Sequence, residues 1–201
     1  MTYWQENSES IFAVTIAILA ALLAITDLVA GRYGDDELKF TNEKSAAYMW
    51  YQAKSIKEYV VKGQADTLET LLKAEVIRSE SRPAFLEQKN TLLKNIERYK
   101  KEKLEILLGS KAVGESNWVQ DVDGKMGVVV GAKELEASVE NLGAAGDRFD
   151  LASLFFQISL VIGALGILVK NARIKSYAYG MTLGLAVIGT AFAVRGIIIV
   201  S

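Results

Sequence analysis

The sequence predicts an all-α membrane protein: three transmembrane helices, with a long helical-hairpin, coiled-coil-like domain inserted between the first and the second. Three observations carry this. First, of the 23 Lys/Arg and 24 Asp/Glu in 201 residues, positions 31–150 hold 19 and 21, which leaves the remaining apolar stretches almost uncharged. Second, those stretches reach the roughly 20 residues that a helix needs to cross a bilayer core. Third, the charged middle contains the chain's single proline and is rich in Glu, Lys, Leu and Ala, the residues that favour helix.

The composition also excludes functions. There is no histidine and no cysteine, so Ser-His-Asp and Cys-His triads, thiolate or imidazole metal sites, disulfides and imidazole-based pH sensing are ruled out. A net charge of −1 gives no clustered positive field for phosphate, so nucleic acid is not an expected partner.

A short tail, residues 1–10, precedes the first apolar run. It carries no Lys or Arg, and no small-x-small site precedes a plausible cut, so an uncleaved anchor is expected rather than a signal peptide. The first span is 11–30, with Asp27 as its one charge; the second is 151–169; the third is 177–200, interrupted only by Arg195. Lys170, Arg173 and Lys175 make the 170–176 turn basic. By the positive-inside rule that turn and the N-terminus are cytoplasmic and 31–150 is extracytoplasmic. Arg32, Lys39, Lys44, Lys133 and Arg148 on the domain side count against that orientation. Tyr3, Trp4, Tyr177 and Tyr179 fit interfacial anchoring either way.

Helices in lipid associate through close backbone approach. The first span carries Ala13, Ala17, Ala20, Ala24, Asp27 and Gly31 on one stripe. The second carries Ala152, Ser159, Gly163 and Gly166, and the third Gly180, Gly184 and Ala191 with Arg195 at the edge. Ala17, Ala20, Ala24, Gly163, Gly166, Gly180 and Gly184 are therefore the expected packing positions. The first and third spans run in the same direction, which puts Asp27 and Arg195 near the same membrane face. An ion pair between them is expected, with Asp147 or Asp150 as alternative partners for Arg195; the competing reading is an arginine that snorkels to the headgroups.

Within the middle, Met49, Ala53, Ile56, Val60, Gly63 and Leu71 fall near one face of a helix from Asp35 to about Ser79, which can continue the first span beyond a break at Gly31 and Gly34. Ser79-Glu80-Ser81-Arg82-Pro83 marks a reversal, and Phe85, Leu92, Ile96, Tyr99 and Leu107 pattern a second helix to Leu108. The two form an antiparallel hairpin, 35–108. Residues 109–131, rich in Gly and Val, read as a loop with a short strand pair or irregular cap. Helical spacing returns at 132–150 and leads into the second span.

Candidate chemistry is sparse. Asp121-Val-Asp123-Gly124 opens like a calcium loop, but the spacing fails and Ala132 stands where a bidentate acid belongs, so a surface turn is expected. Gly124, Gly127 and Gly131 match no phosphate loop. Glu134, Glu136 and Glu140, without a Glu-x-x-His partner, read as a solvated face, as does Lys100-Lys101-Glu102-Lys103. The most distinctive patch is Tyr48, Trp50, Tyr51 and Lys54, open to two readings: packing within its own hairpin, or docking of a partner.

Trp50-Tyr51-Gln52-Ala53-Lys54-Ser55-Ile56-Lys57, preceded by Asn42 and Lys44, together with Arg148-Phe149-Asp150-Leu151-Ala152 and Phe156-Gln157-Ile158, resembles a bacterial membrane family catalogued only as domain of unknown function four-three-three-seven. The resemblance covers the first span through the aromatic patch and then Asp147 to the end; residues 109–131 depart from it. It implies three membrane helices with a helical domain between the first two, in a bacterial inner membrane, and it implies no activity, cofactor or catalytic residue. The expectation is a non-enzymatic scaffold or accessory subunit with lipids, its own copies and a larger membrane complex as partners. The alternative is an oligomeric pore or transport accessory lined by Gly180, Gly184, Thr190 and the Asp27/Arg195 level. An enzyme is not expected, since no nucleophile, base and orienter can be assembled; no cofactor is expected.

Overall fold

The computed structural model describes residues 3–201, with side chains from residue 7 onward. Tyr3 and Trp4, expected as interfacial anchors, lie outside the described side chains. Helix makes up 86% of the described residues, with no strand among them. The helices are α1 (Tyr3–Lys73), α2 (Arg82–Leu108), the single turn α3 (Ser110–Val113), α4 (Ala132–Leu168) and α5 (Ala172–Val200), with a 3-10 turn at Glu115–Asn117. α1, α4 and α5 are each long and apolar enough to cross a membrane. The chain divides into two compact units, one formed by the chain up to Lys39 with Ser138–Ser201, the other by Phe40–Ala137.

α1 differs from expectation in being one uninterrupted helix of 71 residues. Glycine in a helix interior costs about 1 kcal/mol relative to alanine, but Gly31 and Gly34 flank Tyr33, whose ring stacks on Phe149 at 5.4 Å. That contact, together with helix-forming neighbours on both sides, holds the helix through the glycines. The far end stops at Lys73, before the expected Ser79, and Glu75 adopts φ 54 in the reversal. Pro83 sits in the first turn of α2, where its missing N–H costs nothing.

In the first unit, Leu19, Ala152 and Phe156 form the core, with Leu23, Leu160, Ala186, Phe192 and Ala193 around it. Contacts along the bundle fix its directions. Glu9 and Phe12 of α1 meet Lys175 and Tyr179 of α5 at one end. Tyr33 of α1 and Gly196 of α5 meet the same Phe149 at the other. α1 and α5 are thus parallel and α4 antiparallel to both. Buried hydroxyls are satisfied locally: Ser159 donates to the Thr182 carbonyl at 2.6 Å, and Thr182 to Ala178 at 2.9 Å. The Asn171 side chain caps α5, accepting from the backbone N–H groups of Arg173 and Ile174.

The second unit is the hairpin of α1 and α2, closed at one end by the 109–131 segment. Ala47, Ala132 and Leu135 are its buried cluster, with Phe40, Tyr48 and Leu107 packed on it. The short strand pair expected in 109–131 reduces to one antiparallel bridge, Val122 with Lys125.

Candidate functional site

The inner face of the hairpin is held by charges. Glu102 is 1% exposed, accepting from Lys54 Nζ at 2.6 Å and from Arg98 Nε at 2.7 Å. Lys103 pairs with Glu58 at 2.5 Å and lies over the Tyr51 ring at 5.6 Å from its centroid. Farther along, Glu69 takes Lys73 at 2.7 Å and Lys89 at 3.2 Å. Hydrogen bonds from Lys73 and then Lys89 hold the Glu69 carboxyl below its usual range, and Glu69 in turn raises Lys73.

This ladder decides where the distinctive patch goes. Tyr48 donates to Glu136 at 3.1 Å, and desolvation followed by that carboxylate holds its hydroxyl above the usual tyrosine range. Tyr51 lies under Lys103 and Lys54 binds Glu102, so two of the four patch residues serve their own hairpin and Tyr48 reaches α4, while Trp50 is half-buried. The apolar face of this part of α1 is open. Met49, Ile56 and Val60 are 63%, 58% and 51% exposed. Ala53 and Gly63 are exposed with them, and nothing lies within 4 Å of a Cβ built at Gly63. The five positions advance by alternating steps of four and three residues, the a/d seam of a coiled coil. A groove of about 510 Å³ borders this seam, lined by Val60, Gly63, Gln64, Thr67, Leu68, Gln88 and Leu92.

Glu105, wholly buried, organises the irregular segment. One carboxylate oxygen accepts from Ser110 Oγ at 2.7 Å; the other accepts the backbone N–H groups of Val119 and Gln120 at 2.8 and 2.9 Å. Ser110 Oγ accepts from Val129 N–H at 3.0 Å, and Trp118 Nε1 donates to the Ser110 carbonyl at 2.8 Å. A Cβ at Gly131 would collide with the backbone of Leu108 and Gly109, so the ends of the segment close only because both positions are glycine. Asp121 to Lys125 is a two-residue turn: Asp123 and Gly124 have φ 53 and 77, and the Asp121 carboxylate accepts from Gly124 N–H at 2.6 Å. No group of three or more acidic side chains among the described residues is placed to hold a metal ion.

In the membrane unit the expected ion pair is replaced. Ser153 Oγ donates to Asp27 Oδ1 at 2.5 Å. Arg195 is exposed and lies within 4.0 Å of none of the carboxylates of Asp27, Asp147 and Asp150. The reason is rotational: Gly196, beside it, faces Phe149, which turns Arg195 outward. Asp147 and Asp150 line a surface recess on α4 with Arg148, Leu151 and Leu154. The small residues also divide. Gly163 lies against Ile16 and Thr182, and Gly166 against Phe12 and Ala178. Ala17, Ala20 and Ala24 are exposed, and Gly180 and Gly184 have open space beside them, so none of these five packs within the protomer. Gly189 against Phe156 and Gly196 against Phe149 take that role on α5; their spacing of seven residues was the available signal.

No curated protein and no solved structure matches the chain. A family model does, from residue 8 to residue 199, a span that includes the 109–131 segment. The chain belongs to the family described as Domain of unknown function (DUF4337).

Proposed function

We propose that this protein is a non-enzymatic membrane scaffold that self-associates. The observation that carries the reading is the open face of the hairpin: ion pairs and a few buried apolar residues join its helices, while the apolar seam Met49-Ala53-Ile56-Val60-Gly63 stands exposed. A helix with a free apolar seam of coiled-coil period gains by burying it against another helix, at about 25 cal/mol per Å² of apolar surface. A second copy in the same membrane presents its hairpin in the same direction and at the same height, so it can cover the seam. The proposed setting is a bacterial inner membrane with the basic 170–176 turn cytoplasmic and the hairpin outside.

The test is the mass of the gently solubilised particle for the wild type and for Ile56→Asp/Val60→Asp. The reading expects an oligomer whose population falls in the double variant while the helix content of the protomer stays constant. A wild-type monomer across the concentration range found in membranes would refute it.

A further inference from the structure

Asp27 and Arg195 are the only charges inside the three apolar runs, and neither finds a counter-ion among the described residues of its own protomer. Asp27 accepts one hydrogen bond, from Ser153, although a carboxylate has room for about four. Arg195, with five donors, bonds to no described residue. Charges in lipid are expensive unless paired. The two also share a depth. Asp27 meets Ser153, while Phe149 and Phe156 of the same helix meet Gly196 and Gly189 of α5, which brackets Ser153 between them and leaves Asp27 and Arg195 within about one helical turn.

We infer that the pair forms between copies: Asp27 on α1 of one protomer binds Arg195 on α5 of its neighbour. The inference rests on the self-association proposed above and names the membrane contact that would accompany it. Both charges stand on outward faces made of small residues. On α1 the exposed face is Ala17, Ala20, Ala24 and Asp27; on α5 Arg195 continues a face from Gly184 through Val187 and Ala191, beside a shallow groove of about 530 Å³. α1 and α5 run in the same direction. A copy turned about an axis normal to the membrane therefore sets its α5 against the first copy's α1 with the charges at matching depth. Arg195 lies eleven residues beyond Gly184, and Asp27 ten beyond Ala17, so the small residues come into register when the charges do.

Charge selects this arrangement over its rivals. An α1–α1 contact on this face sets carboxylate against carboxylate, and an α5–α5 contact sets guanidinium against guanidinium. Of the contacts these two faces can make, the α1–α5 contact is the one that brings opposite signs together. It is heterologous, so repetition closes a ring when the rotation allows.

The absence of cysteine makes the test direct. Copies carrying Ala24→Cys and copies carrying Ala191→Cys, separately tagged, are co-expressed and oxidised mildly in native membranes. The expected product is a disulfide-linked pair with one tag of each kind, and little product from either variant alone. Asp27→Arg or Arg195→Asp introduced into both sets of copies lowers the mixed product by about fivefold or more, and the two reversals together restore it. Homotypic products, or a mixed product indifferent to both reversals, as when Arg195 serves a lipid phosphate, would overturn the inference. So would no product from a particle whose mass is oligomeric, with self-association left standing. No product together with a monomeric mass would remove both.

Discussion

Glu105→Ala tests the physical account of the hairpin's closed end. The carboxylate is fully buried and accepts three hydrogen bonds, from the Ser110 hydroxyl and from two backbone N–H groups. Truncation strands all three donors. A buried donor left without a partner costs about 1–3 kcal/mol, and the nearby Val129 carbonyl already accepts the Ser110 N–H at 2.9 Å. The sum is about 3–5 kcal/mol of local stability, the range measured when one partner of a buried charged network is removed. Hydrogen exchange on the full-length protein reads this locally: protection at Val119, Gln120 and Val129 is expected to fall by roughly two to four orders of magnitude. Glu105→Gln keeps one acceptor oxygen for the backbone pair and reverses the bond to Ser110, so its loss is smaller, about 1–2 kcal/mol. If Glu105→Ala left those amides within about threefold of wild type, the claim that this carboxylate holds the segment together would be wrong.

Other predictions follow from the same contacts. Glu102→Ala removes the buried acceptor of Lys54 and Arg98 and should destabilise the hairpin by about 3 kcal/mol, read as thermal unfolding of the solubilised protein. The folded Glu69 carboxyl titrates below its unfolded value, so its contribution is fully present above the unfolded pKa and is lost as pH falls through the lowered one. Since it is exposed the effect on stability is small, and the better readout is its titration by NMR, which Lys73→Met should move upward. Gly166→Ala sets a Cβ 2.6 Å from the Phe12 ring and should cost the bundle about 1–3 kcal/mol, whereas Gly180→Ala meets open space and should leave protomer stability unchanged. Equal losses from the two would contradict the packing described.

The helices were legible because their signals are long and additive: uncharged runs of bilayer length, one proline, and helix-forming residues between. The irregular segment was legible as irregular because its glycines cluster. What misled was rotation. Met49, Ile56 and Val60 mark an apolar face, and an apolar face is normally the buried one, but the cross-hairpin partners are Lys54 with Glu102 and Lys103 with Glu58. Nothing in a lysine-glutamate run distinguishes a solvated surface from a ladder between two helices. Glu102 read as surface for that reason, and it is buried; Glu105, which carries no distinguishing signal in the sequence, is buried too. In the membrane unit, proximity in depth was readable and azimuth was not. Asp27 reached Ser153, a residue with no charge to advertise it, and Arg195 turned outward because Gly196 needed the space beside Phe149.

The central claim is that the open seam of α1 is covered by another copy. Native mass spectrometry of the particle released from membranes with its lipids retained tests it most directly. The account predicts a homo-oligomer of fixed copy number that dissociates when Ile56 and Val60 are both made aspartate. A monomer, or a fixed-ratio complex containing a single copy of this chain, would contradict it.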